Sequence, residues 1–233
     1  MKTFLLFFGF LVAPLAGNEI QHFTKAEILG DINPAHLKSF DKLKTKHCTK
    51  ANAYLRDEVY SAFKKMAKEA EKDGVHFVII SATRNREYQA GIWNRKWNTF
   101  GGELLERAQK ILQYSSMPGT SRHHWGTDFD LNSLNNSYFE SGKGQKEYEW
   151  LRDHAHLFGF FQPYTAFNDS RDAGYREEKW HWSYYPTASK LQRAYNHLVS
   201  YQDLKGFNGS ELAKELNVIS NYVNGVEVPE RVK

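Results

Sequence analysis

The chain has 233 residues, with 31 Lys+Arg against 27 Asp+Glu for a net charge of +4. That length allows one or two domains and a sizeable core. Its 15% aromatic content excludes a disordered chain, and six Pro with 16 Gly exclude a collagenous or low-complexity one. So small a positive excess suits an anionic cell surface but does not point to nucleic acid. The single Cys48 excludes both an internal disulfide and a Cys-rich zinc site.

In chain order, Met1-Lys2, an apolar run from Phe4 to Val12, and small residues at Ala13, Ala16 and Gly17 have the layout of a secretory signal peptide over 1–17. The run is too short for a transmembrane span, so no stable membrane span is expected after cleavage. Residues 18–50 are mixed and polar, with turn signals at Asp31, Asn33 and Pro34, and read as an N-terminal arm. Leu55, Val59, Phe63, Met66 and Ala70 predict an amphipathic helix over 52–72 that stops at Gly74. Its Lys64, Lys65, Lys68 and Lys72 alternate with Glu69 and Glu71, as on a solvated face.

Val75–Ser81 is β-branched and apolar and reads as a buried strand. A helix opens near Asn85, and another covers about Glu103–Tyr114. Pro118-Gly119 marks a loop that feeds a strand around Phe129–Leu131. Tyr148, Leu151, Ala155 and Phe158 mark a further helix, closed by Gly159. Residues 163–177 are turn-rich, and Lys179–Tyr185 reads as an aromatic strand. Helices alternate with short strands, and pairing of consecutive strands predicts an α+β fold with a small, mainly antiparallel sheet flanked by helices. The expected organisation places a catalytic domain at 51–186 and a helical extension of that domain at 187–233, with helices near 187–200 and 210–216.

Two segments carry dense chemistry: Ser121-Arg-His-His-Trp-Gly-Thr-Asp-Phe-Asp130 and Glu177-Glu-Lys-Trp-His181. A catalytic zinc takes three protein ligands from His, Asp and Glu and keeps a fourth position open. His123 and Asp130 lie seven apart, a spacing natural for a loop that returns into a strand, with Gly126 permitting the turn. Glu178 and His181 would face opposite sides of one strand, so a bulge or turn near Lys179 is needed. Spacing leaves His124 as a rival to His123, and Asp128 as a rival to Asp130.

Ser121-x-His123-x-x-Gly126-x-Asp128-x-Asp130 followed by Glu178-x-Trp180-His181 resembles the signature of the VanY-like zinc D-alanyl-D-alanine carboxypeptidases, S-x-H-x-x-G-x-A-x-D then E-x-W-H. Upstream, Ser81-x-x-Arg84-x-x-x-x-Gln89 resembles that family's S-x-x-R-x-x-x-x-Q element. The three blocks stand in the family's order over about 75–185, and the one departure is Asp128 where the family has Ala. That carboxylate would pair with a nearby basic group or compete as a ligand.

The resemblance implies one zinc ion held by His123, Asp130 and His181, with Glu178 as the unligated catalytic carboxylate and Arg84 stabilising negative charge on the scissile carbonyl oxygen. It points to Ser121 and Gln89 as substrate-carboxylate donors, and leaves Arg122, Trp125 and Trp182 as packing or cleft-wall residues. The implied enzyme is a bacterial periplasmic or secreted zinc peptidase that removes the terminal D-alanine of peptidoglycan stem peptides. An L,D-carboxypeptidase or a cell-wall endopeptidase would use the same core. A non-catalytic zinc module, as in Hedgehog domains of similar fold, would need neither Glu178 nor Arg84.

Overall fold

The computed structural model describes residues 23–228, so the predicted signal peptide lies outside the described residues. Six helices and six short strands follow one another as α1 (Lys25–Leu29), β1 (Phe40–Lys42), β2 (Tyr54–Arg56), α2 (Asp57–Lys72), β3 (Ile79–Ser81), α3 (Arg86–Thr99), α4 (Leu104–Leu112), β4 (Asp128–Leu131), α5 (Gly142–His154), β5 (Phe160–Phe161), β6 (His181–Tyr184) and α6 (Tyr185–Leu198). β1 and β2 pair antiparallel as a separate two-stranded sheet, and the main sheet has the order β3-β4-β6-β5. The named strands all pair antiparallel, and Cys48 makes a parallel bridge to Ile79 of β3. This is the α+β architecture the sequence predicts, although not all consecutive strands pair: β2 and β3 lie in different sheets, and β4 and β5 are separated by β6. No helix among the described residues is long and apolar enough to cross a membrane.

Two apolar clusters flank the sheet. One gathers Phe63, Met66 and Ala70 of α2 with Phe129, Leu131 and Trp182 of the sheet. The other joins Ile28 and Leu29 of α1 to Trp93, Ile111, Trp125, Leu191 and Tyr195. The arm is therefore fastened to the body, with Ile28 fully buried and Leu29 nearly so. α1 is started by a capping box between Thr24 and Glu27 and stopped by left-handed Gly30 (φ 80°). A side chain at Gly30 would collide with the His124 ring.

Several boundaries differ from those predicted. The helix expected from 52 begins at Asp57, because Tyr54–Arg56 pair with Phe40–Lys42. Leu55 fits a helical period by coincidence of spacing. The strand expected over 75–81 forms ladder pairs only at Ile79–Ser81. Before it, Asn132 takes both the Val78 amide, through Oδ1, and the Val78 carbonyl. The strand expected over 179–185 starts at His181, because Lys179 and Trp180 form a turn closed by the His181 amide on the Glu178 carbonyl (3.2 Å). In place of a helix at 210–216 there is a 3-10 turn (Ser210–Ala213) and a π-helical turn (Ile219–Val223), with Asn217 between them in the left-handed region (φ 49°).

Candidate metal centre and its cleft

β4 and β6 build the site by simple alternation. Asp130 lies opposite His181 and Asp128 opposite Ser183, while Phe129 and Trp182 point to the apolar cluster on the other face. His123 arrives from the 3-10 turn Arg122–Trp125, which ends at left-handed Gly126 (φ 72°). A side chain at Gly126 would strike the Phe40 ring. His123, Asp130 and His181 each offer one donor atom within 4.8 Å of the others, and all three residues are buried. His123 Nε2 is 3.4 Å and His181 Nδ1 3.1 Å from Asp130 Oδ1.

The remaining nitrogen of each ring is already engaged. His123 Nδ1–H donates to the Ala82 carbonyl at 2.9 Å. His181 Nε2–H donates to Asp128 Oδ1 at 3.0 Å, and the same oxygen accepts from Arg122 Nε at 3.0 Å. Thr127 Oγ1 donates to Asp128 Oδ2 at 2.5 Å. Asp128 therefore stands behind His181 and pairs with Arg122, the first of the two roles the sequence left open. Arg122 does more than pack: it is fully buried and also donates to Ser183 Oγ and Gln192 Oε1. The rival His124 is spent on structure, since Nδ1–H donates to the Arg84 carbonyl (2.7 Å) and Nε2 accepts the Gly119 amide (3.1 Å).

Charges in the cluster suit a cation. Burial holds His123 neutral, its pKa lowered to about 4. Burial opposes charge on Asp130, yet the cationic His181 beside it holds its carboxyl far below the usual range. His181 is pushed up to about 9: burial opposes its charge, but its hydrogen bonds to Asp128 and Asp130 prevail. Burial, reinforced by Asp130, raises Glu178 to about 8. The His181 shift reflects the two carboxylates beside it and the Glu178 shift its burial, and a dication in the cluster would lower both. Two imidazoles and one carboxylate, each imidazole anchored through its other nitrogen, fit zinc.

Glu178 sits on the turn before β6, 6% exposed, with Oε2 3.6 Å from His181 Nδ1. Its amide donates to the Tyr164 carbonyl at 2.9 Å. Glu178, Arg84, Ser121 and the three metal donors all line one cleft of about 520 Å³. The Arg84 amide donates to the His123 carbonyl at 3.2 Å, which ties the β3–α3 connection to the metal turn. Ser121 Oγ is buried with no hydrogen-bond partner among the described residues. Gln89, expected at the substrate, is not a cleft-lining residue: it lies 1% exposed on α3 and its Nε2 holds the Ser116 carbonyl at 2.8 Å, from behind the wall. Glu177 caps nothing in the cleft; its carbonyl accepts from Asn136 Nδ2.

Sequence reasoning missed Tyr164, whose ring centroid lies 4.7 Å from that of His181, and Lys96, on the same helical face as Tyr88 and Ile92 in the cleft wall. A period-3.6 reading of α3 would have found Lys96. No motif marks Tyr164.

The family model for VanY, D-alanyl-D-alanine carboxypeptidase, matches residues 52–187. The D-alanyl-D-alanine carboxypeptidase of Enterococcus faecalis (strain ATCC 700802 / V583) is 28% identical over 118 residues, 49% of this chain and 42% of that protein. The chain spans less than half the length of the curated relatives it matches. VanYB in complex with D-alanine-D-alanine superposes with a TM-score of 0.53 at 21% identity, over 74% of this chain and 93% of that one. A vancomycin-resistance D,D-pentapeptidase VanY variant in complex with Zn(II) gives 0.53 at 20% identity, over 75% and 93%. At those identities the structures speak for the fold, while the family match covers more than half of the sequence and includes all three motif blocks. The chain belongs to the VanY family of D-alanyl-D-alanine carboxypeptidases.

Proposed function

We propose that the protein is a zinc-dependent carboxypeptidase that removes the terminal D-alanine of peptidoglycan stem peptides ending in D-Ala-D-Ala. The observation that carries this reading is the convergence of His123, Asp130 and His181 on one point, with unligated Glu178 3.6 Å from His181 in the same cleft. The apolar leader over 1–17 supports export to the periplasm or beyond, where that substrate lies. Residues 51–186 form the catalytic body, with 187–233 as an extension of it.

A zinc ion held there supplies Lewis-acid polarisation of the scissile carbonyl and lowers the pKa of water. Glu178 takes a proton from the attacking water and passes it to the leaving amine nitrogen. Its burial and the hydrogen bond from its backbone N–H to the Tyr164 carbonyl keep the carboxyl aimed into the cleft. Arg84, permanently cationic, faces the negative charge that grows on the carbonyl oxygen, a contribution of ~10²–10³ in rate. Asp128 fixes the His181 ring through Nε2, and Arg122 holds Asp128.

The test is mass spectrometry of pentapeptide, tetrapeptide and cross-linked muropeptides digested by the purified protein, with and without a chelator. Loss of a single D-alanine from the pentapeptide, abolished by chelation, is the expected result. Turnover of the tetrapeptide alone would turn the reading to an L,D-carboxypeptidase, and release of internal fragments only would refute it.

A further inference from the structure

The cleft contains a cation that the reaction above does not use. α3 lines the cavity with Tyr88, Ile92, Arg95 and Lys96. Lys96 is half-buried, and its Nζ donates to Ser115 Oγ at 3.1 Å. The ion pairs among the described residues leave it out. This ammonium is drawn partly out of water, its hydrogen-bond acceptor is a neutral hydroxyl, and it forms no direct ion pair. Burial works against it, lowering its pKa, while the charges of Glu178 and Arg84 act on it from elsewhere in the cleft.

The surroundings of Lys96 point to the sign and shape of what it binds. Ser115, Ser116 and Ser121 line the same cavity, and Ser121 Oγ is 1% exposed with no partner among the described residues. Gln89 pins the Ser116 carbonyl and so steadies this wall from behind. One ammonium and the unpartnered Ser121 hydroxyl lining one cavity are donors suited to a small anion, a carboxylate above all. The acids of the cavity do not fill this role, since Asp130 is committed to His123 and His181, and Glu178 forms no ion pair with Lys96.

We propose that Lys96, steadied by Ser115 and joined by Ser121, is the anchor for the free C-terminal carboxylate of the peptide. This rests on the carboxypeptidase reading above and deepens it: a continuing chain or a terminal amide brings no charge and leaves the ammonium unpaired. Lys96 then makes the site select chain ends over internal bonds, a task the zinc donors and Glu178 do not perform. The charge-assisted bond gives a preference of ~10–100-fold in kcat/KM for acid over amide ends.

The experiment uses the zinc-loaded full chain and two synthetic acyl peptides ending in D-Ala-D-Ala, one a free acid and one the C-terminal amide. The wild type is expected to prefer the acid by that factor, chiefly through KM. Lys96→Met is expected to bring the acid-to-amide ratio to within about threefold of unity, and Lys96→Arg to restore most of it. An unchanged ratio in Lys96→Met overturns the proposal, as does an equal loss on both peptides with a displaced pH profile, which would make Lys96 a tuner of Glu178. Zinc content and thermal unfolding report whether the variants are folded. Should Lys96→Met not fold, a wild type indifferent to acid and amide still overturns the proposal. A wild type that releases no terminal residue from either peptide refutes the carboxypeptidase reading itself, an outcome seen without any variant.

Discussion

Residues 121–131 and residues 162–181 both deliver groups to the cleft, but they are held in different ways. The first segment is locked by short-range structure: the 3-10 turn, the Gly126 stop, and a buried ion pair between Arg122 and Asp128 on β4. The second places His181 on a central strand but leaves Glu178 on the turn before it. The loop leading there is tied down by distant chain. Glu227 donates its amide to the Pro163 carbonyl and accepts from Asn168 Nδ2, Ser170 Oγ and Thr165 Oγ1. Buried Arg171 donates to the carbonyls of Thr165, Ala173 and Tyr175. Tyr222 packs on Tyr175, Tyr175 on Tyr164, and Tyr164 on His181. Two of the three candidate metal donors, Asp130 and His181, thus come from the sheet and His123 from the turn before it, while Glu178, the proposed proton carrier, sits on a loop buttressed by the C-terminal residues.

That contrast can be broken at graded points. Removing a donor from the rigid side, His123→Ala, is expected to abolish zinc binding and turnover together, read by metal analysis and D-alanine release. On the loop side Glu178→Gln keeps stoichiometric zinc while kcat falls ~10²–10⁴-fold. Retained hydrolysis in that variant would contradict the assigned role. Behind the donors, Asp128→Asn weakens the acceptor of His181 Nε2–H and leaves Arg122 buried without its countercharge. Zinc affinity is then expected to drop ~10–100-fold in a chelator competition assay. The smallest effect belongs to Glu227→Ala, about two- to tenfold in kcat, accompanied by faster amide exchange across 163–178 and unchanged exchange in β4. Equal loosening of both segments would erase the distinction.

Much of the helical scaffold can be read from the chain because its signals are local. The three-and-four spacing of Val59, Phe63, Met66 and Ala70 buries one face of α2, and the Asn85 side chain accepts the Tyr88 amide at the start of α3. The β1–β2 pair cannot be read this way, since three-residue strands carry no usable alternation and their pairing spans a sequence gap. At the site, the three motif blocks single out His123 and Asp130, but the reason His124 is no ligand is tertiary. Its second nitrogen is taken by Gly119, whose positive φ (89°) is not written in the spacing. Alternation along β4 puts Asp128 and Asp130 on one face; which of them stands behind His181 depends on the Arg122 fork that reaches back to it. Gln89 shows the same limit: its helix position is foreseeable, its turn toward Ser116 is not.

The apolar cluster around Trp93 and Trp125 has a practical consequence for anyone trimming this chain by kinship. The family match begins at 52 and ends at 187, whereas Ile28, Leu29, Leu191, Tyr195, Phe207 and Val218 lie outside it and pack against that cluster. A fragment cut at the borders of homology would bare two tryptophans to water and forfeit roughly 1.5–3 kcal/mol for each large side chain stripped of cover. The family match marks out a shorter piece than the one that holds itself together.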